Sequence, residues 1–177
     1  MLLAVVASAT ASGAASSRPL QRTSALSAGT KYISKRYGYE IVLRGKYIWI
    51  PAHRQWDGSF PFGDTGQPDL IEDATRDHKF GIVAKPVPPG MTLSRWEAFV
   101  VRVHQYCQGL RNFRATSLGG EPAREFVNDC YPWKVITLAA LHKGRGYLLD
   151  YLSAPSYSAA TDRRIYEAGR RAFQFTQ

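Results

Sequence analysis

Six of the fourteen carboxylates in this 177-residue chain lie between Asp57 and Asp77, beside a single basic residue, Arg76. That segment carries −5 and the rest of the chain +14, for a net +9. Such a cluster could do two kinds of chemistry. Asp57, Asp64, Asp69, Glu72 and Asp73 could offer hard oxygen ligands to Ca2+, or with His53 could serve a metal-dependent hydrolase. EF-hand spacing is absent. His78 follows Asp77 directly, but neighbours along a strand point to opposite faces, so the two form no dyad. His104 sits beside an apolar helical stripe and His142 beside a hairpin turn, where a histidine is ordinarily structural or solvated. No phosphate-binding Gly-rich loop, Gly-x-Ser-x-Gly elbow or His-Glu-x-x-His is present. The sequence therefore predicts a protein without catalysis, with a metal-binding or hydrolytic role for the acids as the alternative.

The same region is aromatic. Ala52 to Asp73 is rich in Gly, Pro and Asp and reads as one long loop. Unstructured loops of this length are commonly functional or mobile. Trp49, Trp56, Phe60 and Phe62, with Arg54 as polar anchor, would line a cleft between this loop and a sheet. The plainer expectation is that the loop folds back on the core. Carboxylates converging within a few ångströms would favour metal or catalysis, and a dispersed set would favour a binding module.

Two cysteines remain. Cys107 falls on the apolar face of a predicted helix, and Cys130 lies in the loop Asn128-Asp129-Cys130-Tyr131-Pro132. In an exported protein a disulfide between them would add roughly 3 kcal/mol. Otherwise they are a buried thiol and a loop thiol. Neither belongs to a pair with zinc spacing.

The elements that must position these residues follow from periodicity. Tyr39, Ile41 and Leu43 alternate with polar residues, and Tyr47 to Ile50 continues as a second strand or a bent extension, ended by Pro51. Lys79 to Val87 is a strand. A helix capped by Thr92 or Ser94, with Glu97 completing a capping box, presents Trp96, Val100, Val103, Cys107 and Leu110 and ends at Gly109. Arg114–Ser117 and Ala123–Asn128 are short strands around a Gly-Gly-Glu-Pro turn. Trp133 to Ala154 forms two strands about Lys143-Gly144-Arg145-Gly146. Both are apolar on both faces, so that sheet is covered on both sides. Ser158 or Asp162 starts a last helix whose inner stripe is Ile165, Ala168, Gly169, Ala172 and Phe173. The fold class is a three-layer α/β/α sandwich around a mainly antiparallel sheet.

Length indicates one domain. Residues 1–17, apolar and small, read as a signal peptide lacking its charged n-region; residues 18–30 read as a flexible leader, and 31–177 as the domain. The apolar run is too short to span a bilayer. The protein is expected to be secreted or periplasmic and monomeric. Its basic surface favours a protein or anionic partner, without sequence-specific nucleic-acid recognition.

The order of motifs adds to this reading. Tyr37-Gly38-Tyr39, Trp49-Ile50-Pro51, Thr92-Leu93-Ser94-Arg95-Trp96, Gly119-Gly120-Glu121-Pro122-Ala123, Lys143-Gly144-Arg145-Gly146-Tyr147 and Arg171-Ala172-Phe173 succeed one another along the chain. In that order they resemble the PsbP-like family, which includes extrinsic photosystem II proteins, bacterial secreted relatives and a Ran-binding release factor. The resemblance implies an α/β/α sandwich used as a binding or assembly module, usually without catalysis. All the matching positions look like folding determinants, so it carries over no site residue.

Overall fold

The computed structural model describes residues 29–62 and 65–176. Its centre is a seven-stranded sheet of neighbouring antiparallel pairs. The strands are β3 (Tyr47–Ile50), β4 (Asp69–Asp73), β5 (His78–Pro86), β9 (Arg145–Ser153), β8 (Trp133–His142), β7 (Glu121–Cys130) and β6 (Gln108–Leu118), in that spatial order. A smaller sheet joins β1 (Thr30–Ser34), β2 (Tyr39–Leu43) and β10 (Phe173–Phe175). Helix α1 runs Leu93–Val103 and α2 runs Ala159–Ala172.

The β8–β9 hairpin is the core, as its sequence requires. Val135 to Ala140 and Gly146 to Ser153 are buried without interruption. Lys143 and Gly144 both adopt positive φ, 44° and 73°, and make the two-residue connection that suits strand twist. One face of β9 carries Asp150, which meets His104 beyond the end of α1. The other carries Tyr151, whose ring packs near Tyr166 of α2. Successive strand residues alternate faces, so the two helices cover opposite sides, and the small sheet lies on the α2 side.

Each helix seats through a glycine on the sheet or on itself. The Trp96 indole lies on Gly146, where a Cβ would fall 2.5 Å from the ring, and its Nε1 donates to the Tyr147 carbonyl. Gly169 lies on Phe80, where a Cβ would fall 2.4 Å from Cζ. Thr92 caps α1 by accepting from the Arg95 amide, and Ser158 caps α2; neither Ser94 nor Asp162 is the cap.

Several elements differ from the sequence reading. Asp69–Asp73 is strand β4, not the end of a loop, because Ile71 is fully buried against its partner Phe80. Helix α1 stops at Val103, so Cys107 lies in the turn beyond it and Leu110 lies on β6. The short strands at 114–117 and 123–128 are the middle of a long β6–β7 hairpin. On α2, Asp162 and Tyr166 point inward while Ala168 is exposed. Phe173 has left the helix for β10, where it is buried and stacked on Tyr39. β1 (Thr30–Ser34) begins inside the expected leader; only Tyr32 and Ser34 of it are buried, and its antiparallel pairing with β2 makes it a strand. Residues 1–28, which hold the expected signal peptide and most of the leader, lie outside the described residues.

Candidate functional site

The described acids of the 57–77 segment do not converge. Asp57 accepts from the Ser59 amide and from Gln67 Nε2, and the bonds from Ser59 hold its carboxyl below the ordinary range. Asp69 is buried and accepts from Tyr39 Oη at 3.0 Å and the Ala52 amide at 2.8 Å. Glu72 pairs with Lys79 at 3.0 Å. Asp73 accepts from the Asp77 and His78 amides and closes the β4–β5 turn. Asp64 lies outside the described residues. Among the described residues, no group of three His, Cys, Asp or Glu side chains could hold a metal ion. His53 is exposed, and only its backbone is bonded in the loop. Each of these described acids is thus engaged by the local fold.

The loop is fastened to the body chiefly through its carbonyl oxygens. Arg36 reaches the His53 carbonyl, Lys85 the Asp57 carbonyl and Tyr37 Oη the Gln67 carbonyl. Burial, followed by the nearby Asp69 carboxylate, pushes the Tyr37 phenol up to about 12, so it donates at every physiological pH.

The five residues expected to form one cleft separate. Trp56 is 2% exposed and packs on Trp96 and Phe99, which makes it core. Trp49 shares the α2 side of the sheet with Ile71, against Tyr32. Arg54 is exposed and donates to the Thr65 carbonyl at 2.6 Å. Phe60 and Phe62 alone stay together, edge to face at 5.5 Å. Phe62 lies over Gly81, where a Cβ would stand 2.2 Å from its ring.

Phe60 and Phe62 form one wall of a groove of about 980 Å³ on the α1 side of the sheet. Its floor is Ile50, Leu70, Val135 and Leu152, contributed by four strands. Helix α1 ends too soon to cover this half of the face. The opposite wall holds Trp133 and the Cys107–Cys130 disulfide, whose Cα atoms are 4.5 Å apart. Two tyrosines flank that bond at the rim, Tyr106 at 81% exposure and Tyr131 at 98%. Lys79 stands 4.9 Å above the Trp133 ring. The sequence contained one signal for this wall: each cysteine has a tyrosine beside it, so any bond between them gathers both rings.

A buried polar pair closes the inner end of the α1 side. His104 Nε2 lies 2.9 Å from Asp150 Oδ2, and Nδ1 lies 2.9 Å from the Val100 carbonyl. Phe60 and Phe126 set their edges against the imidazole. Both ring nitrogens are engaged and no hydroxyl or thiol nucleophile is bonded to them, so the pair has the geometry of a core anchor.

The sequence matches no family profile and no curated protein. Solved structures resemble it in fold. The solution structure of cyanobacterial PsbP from Synechocystis is similar over 86% of this chain and 95% of that one, with TM-score 0.60 and 16% identity. The crystal structure of LpqN from Mycobacterium tuberculosis, described as involved in cell envelope biogenesis, is similar over 84% of this chain and 86% of that one, with TM-score 0.55 and 10% identity.

Proposed function

From this PsbP-like fold, we propose that the protein is an exported, non-catalytic accessory protein that recognises a protein partner in the groove, with the 52–73 segment supplying one wall. The observation that carries the reading is the groove that α1 does not reach, with Ile50 exposed on its floor over the buried Val135 and Leu152 and with Tyr106 and Tyr131 exposed at its rim. Contiguous exposed apolar surface marks interaction sites, and tyrosine and tryptophan dominate binding hot spots. Phe60 and Phe62 supply the recognition wall, with Arg54 exposed elsewhere on the same segment; Trp56 serves the core and Trp49 the opposite face.

Export is supported by the apolar run at the N-terminus and by the disulfide, which suits an oxidising compartment. Among the described residues, no helix is long and apolar enough to cross a membrane. Dispersal of the acids supports a binding role over a hydrolytic one. The envelope role printed for LpqN suits the same reading, by analogy of fold alone.

The test is chemical crosslinking of wild type and of Tyr106→Ala/Tyr131→Ala in the extracytoplasmic fraction of the native host. Both tyrosines are exposed, so the variant keeps its fold. A specific adduct formed by wild type and lost in the variant is expected. Equal adducts from both would reject the groove as the docking site.

A further inference from the structure

Between α1 and the regular part of β6 the chain is weakly held. β6 matches β7 residue for residue only from Arg114 to Leu118; before that, Gln108 and Arg111 pair in isolation, each followed by a register shift. Gly109 and Asn112 take positive φ, 66° and 58°, a region uncommon for any residue with a side chain. Gln105, Tyr106, Gln108, Gly109, Arg111 and Asn112 are all exposed. Broken pairing and few buried side chains mark a segment of low local stability.

An ion pair and a covalent bond tie this segment to β7. Arg111 meets Asp129 at 2.7 Å with both side chains about half exposed, where such pairs contribute little. The stronger tie is the Cys107–Cys130 disulfide. Both cysteines are half-buried and line the groove, so a reductant can reach the bond. Exposed disulfides are the labile and regulatory ones. The reduced state also has a place in the fold. Asn128 is fully buried, its Nδ2 donates to Thr137 Oγ1, and its Oδ1 faces Cys130 Sγ at 2.9 Å. A sulfur in a disulfide has no hydrogen to give that oxygen; a thiol has one.

The surroundings of the segment are held without the bond. Trp96, Val100 and Val103 seat α1 in the core, and His104 meets Asp150 at 2.9 Å. β7 is paired with β8 from Ala123 to Cys130.

We propose that Cys107–Cys130 is a reversible redox switch: a dithiol reductant opens it, and residues 105–112 detach from β7 while the rest of the domain stays folded. One thiolate of the dithiol attacks Cys107 Sγ, the S–S bond breaks, and Cys130 leaves as a thiolate that takes a proton from water. The second thiol of the reductant, losing its proton, attacks the mixed disulfide and releases Cys107, which is protonated in turn. The protein gains two electrons and two protons, and the dithiol is oxidised to a disulfide. Tyr106 then leaves the wall it shares with Tyr131. Any effect of that on docking rests on the groove being the docking site; the opening of the segment does not.

The experiment is hydrogen–deuterium exchange of the full chain in native buffer, before and after dithiothreitol, with thiols counted by alkylation. Dithiothreitol should open the bond without denaturant. Exchange across 105–112 should then quicken roughly tenfold or more, and exchange in β8 and β9 should change less than about twofold. Reoxidation with oxidised glutathione should restore the slow pattern. Cys107→Ser/Cys130→Ser should show the fast pattern with or without dithiothreitol, and reduction of the wild type decides the matter even where that variant does not fold.

A bond that yields to dithiothreitol only in urea is a structural staple, and would overturn the proposal. Faster exchange throughout β8 and β9 would show that reduction unfolds the domain, and would overturn it too. Unchanged exchange at 105–112 in the reduced protein would show that the bond clamps nothing there, with the same consequence. None of these outcomes depends on a partner, so they leave the groove to its own crosslinking test.

Discussion

His104 Nε2 and Asp150 Oδ2 meet at 2.9 Å, with both side chains wholly shielded from solvent. The second ring nitrogen faces the Val100 carbonyl. A carbonyl and a carboxylate are both acceptors, so the geometry asks His104 to donate from both nitrogens and carry charge. Burial opposes that charge. The Asp150 carboxylate, its hydrogen bond and the Val100 carbonyl outweigh burial and raise the imidazole above its ordinary range.

The consequence is a fall in stability on the alkaline side. A histidine with a raised folded-state pKa contributes fully below the unfolded value of about 6.5, and that contribution disappears as pH rises through the folded value. Urea midpoints should therefore drop between neutral and mildly alkaline pH. His104→Gln should flatten that part of the profile while lowering the plateau. A wild-type profile that runs parallel to the variant's would show that His104 is neutral in the fold.

Glu125 should give the opposite slope. It is fully buried, yet accepts from Arg114 at 2.8 Å, Arg163 at 2.7 Å and Tyr166 at 2.8 Å. Burial pushes its pKa up, but those donors prevail and hold the carboxyl low. Stability from a depressed carboxyl is present above about pH 4.3 and lost as pH falls through the folded value. Glu125→Ala takes the acceptor from the buried Tyr166 phenol, while the partly exposed Arg114 and Arg163 keep Glu167, and should cost about 1–3 kcal/mol in equilibrium unfolding. A cost below 1 kcal/mol would show that water already serves those donors.

Gly169→Ala tests the helix–sheet distance. Alanine favours an isolated helix over glycine by about 1 kcal/mol. Here the new methyl would stand 2.4 Å from Phe80 Cζ, with that ring sealed in the core. Overpacking of this kind costs about 1–3 kcal/mol. The net result should be a lower melting temperature, and an unchanged or higher one would mean that α2 can lift from the sheet.

Phe173→Ala should cost about 3 kcal/mol or more, measured by denaturant unfolding. The ring is 1% exposed and touches Tyr39, Tyr147 and Phe175, so its loss opens a cavity where the two sheets meet.

The disulfide closes a separation of 23 residues, and removing it through Cys107→Ser/Cys130→Ser should cost about 3 kcal/mol. Thiol titration of unreduced, denatured protein should find no free thiol. The same variant should bind a groove ligand more weakly than its stability loss explains, because the bond holds Tyr106 and Tyr131 on one wall.

Much of the scaffold was legible because it rests on local patterns. Unbroken apolar runs in β8 and β9 demanded cover on both faces, and Lys143-Gly144 could only turn. Helix α1 showed itself through the spacing of Trp96, Val100 and Val103. The errors fell where distant partners decide structure. Leu70 and Ile71 lie among acids, and nothing within Asp69–Asp73 announces a strand until β5 is beside it. Phe173 continues the spacing of α2, yet pairing with Ile41 draws it into β10.

The sequence by itself determined the class of fold, the two cysteines available for a bond, and the excess of basic charge, because periodicity and composition act over a few residues at a time. Only the tertiary structure decided what the loop does. It sent Trp56 into the core and Trp49 to the far face, and it gave Asp57, Asp69, Glu72 and Asp73 separate local partners. It also assembled the groove from β3, β4, β8 and β9 with the turn after α1 and the end of β7. Those residues are scattered between Ile50 and Leu152, and contacts across such separations are set by which strands pair, information that no window of the sequence contains.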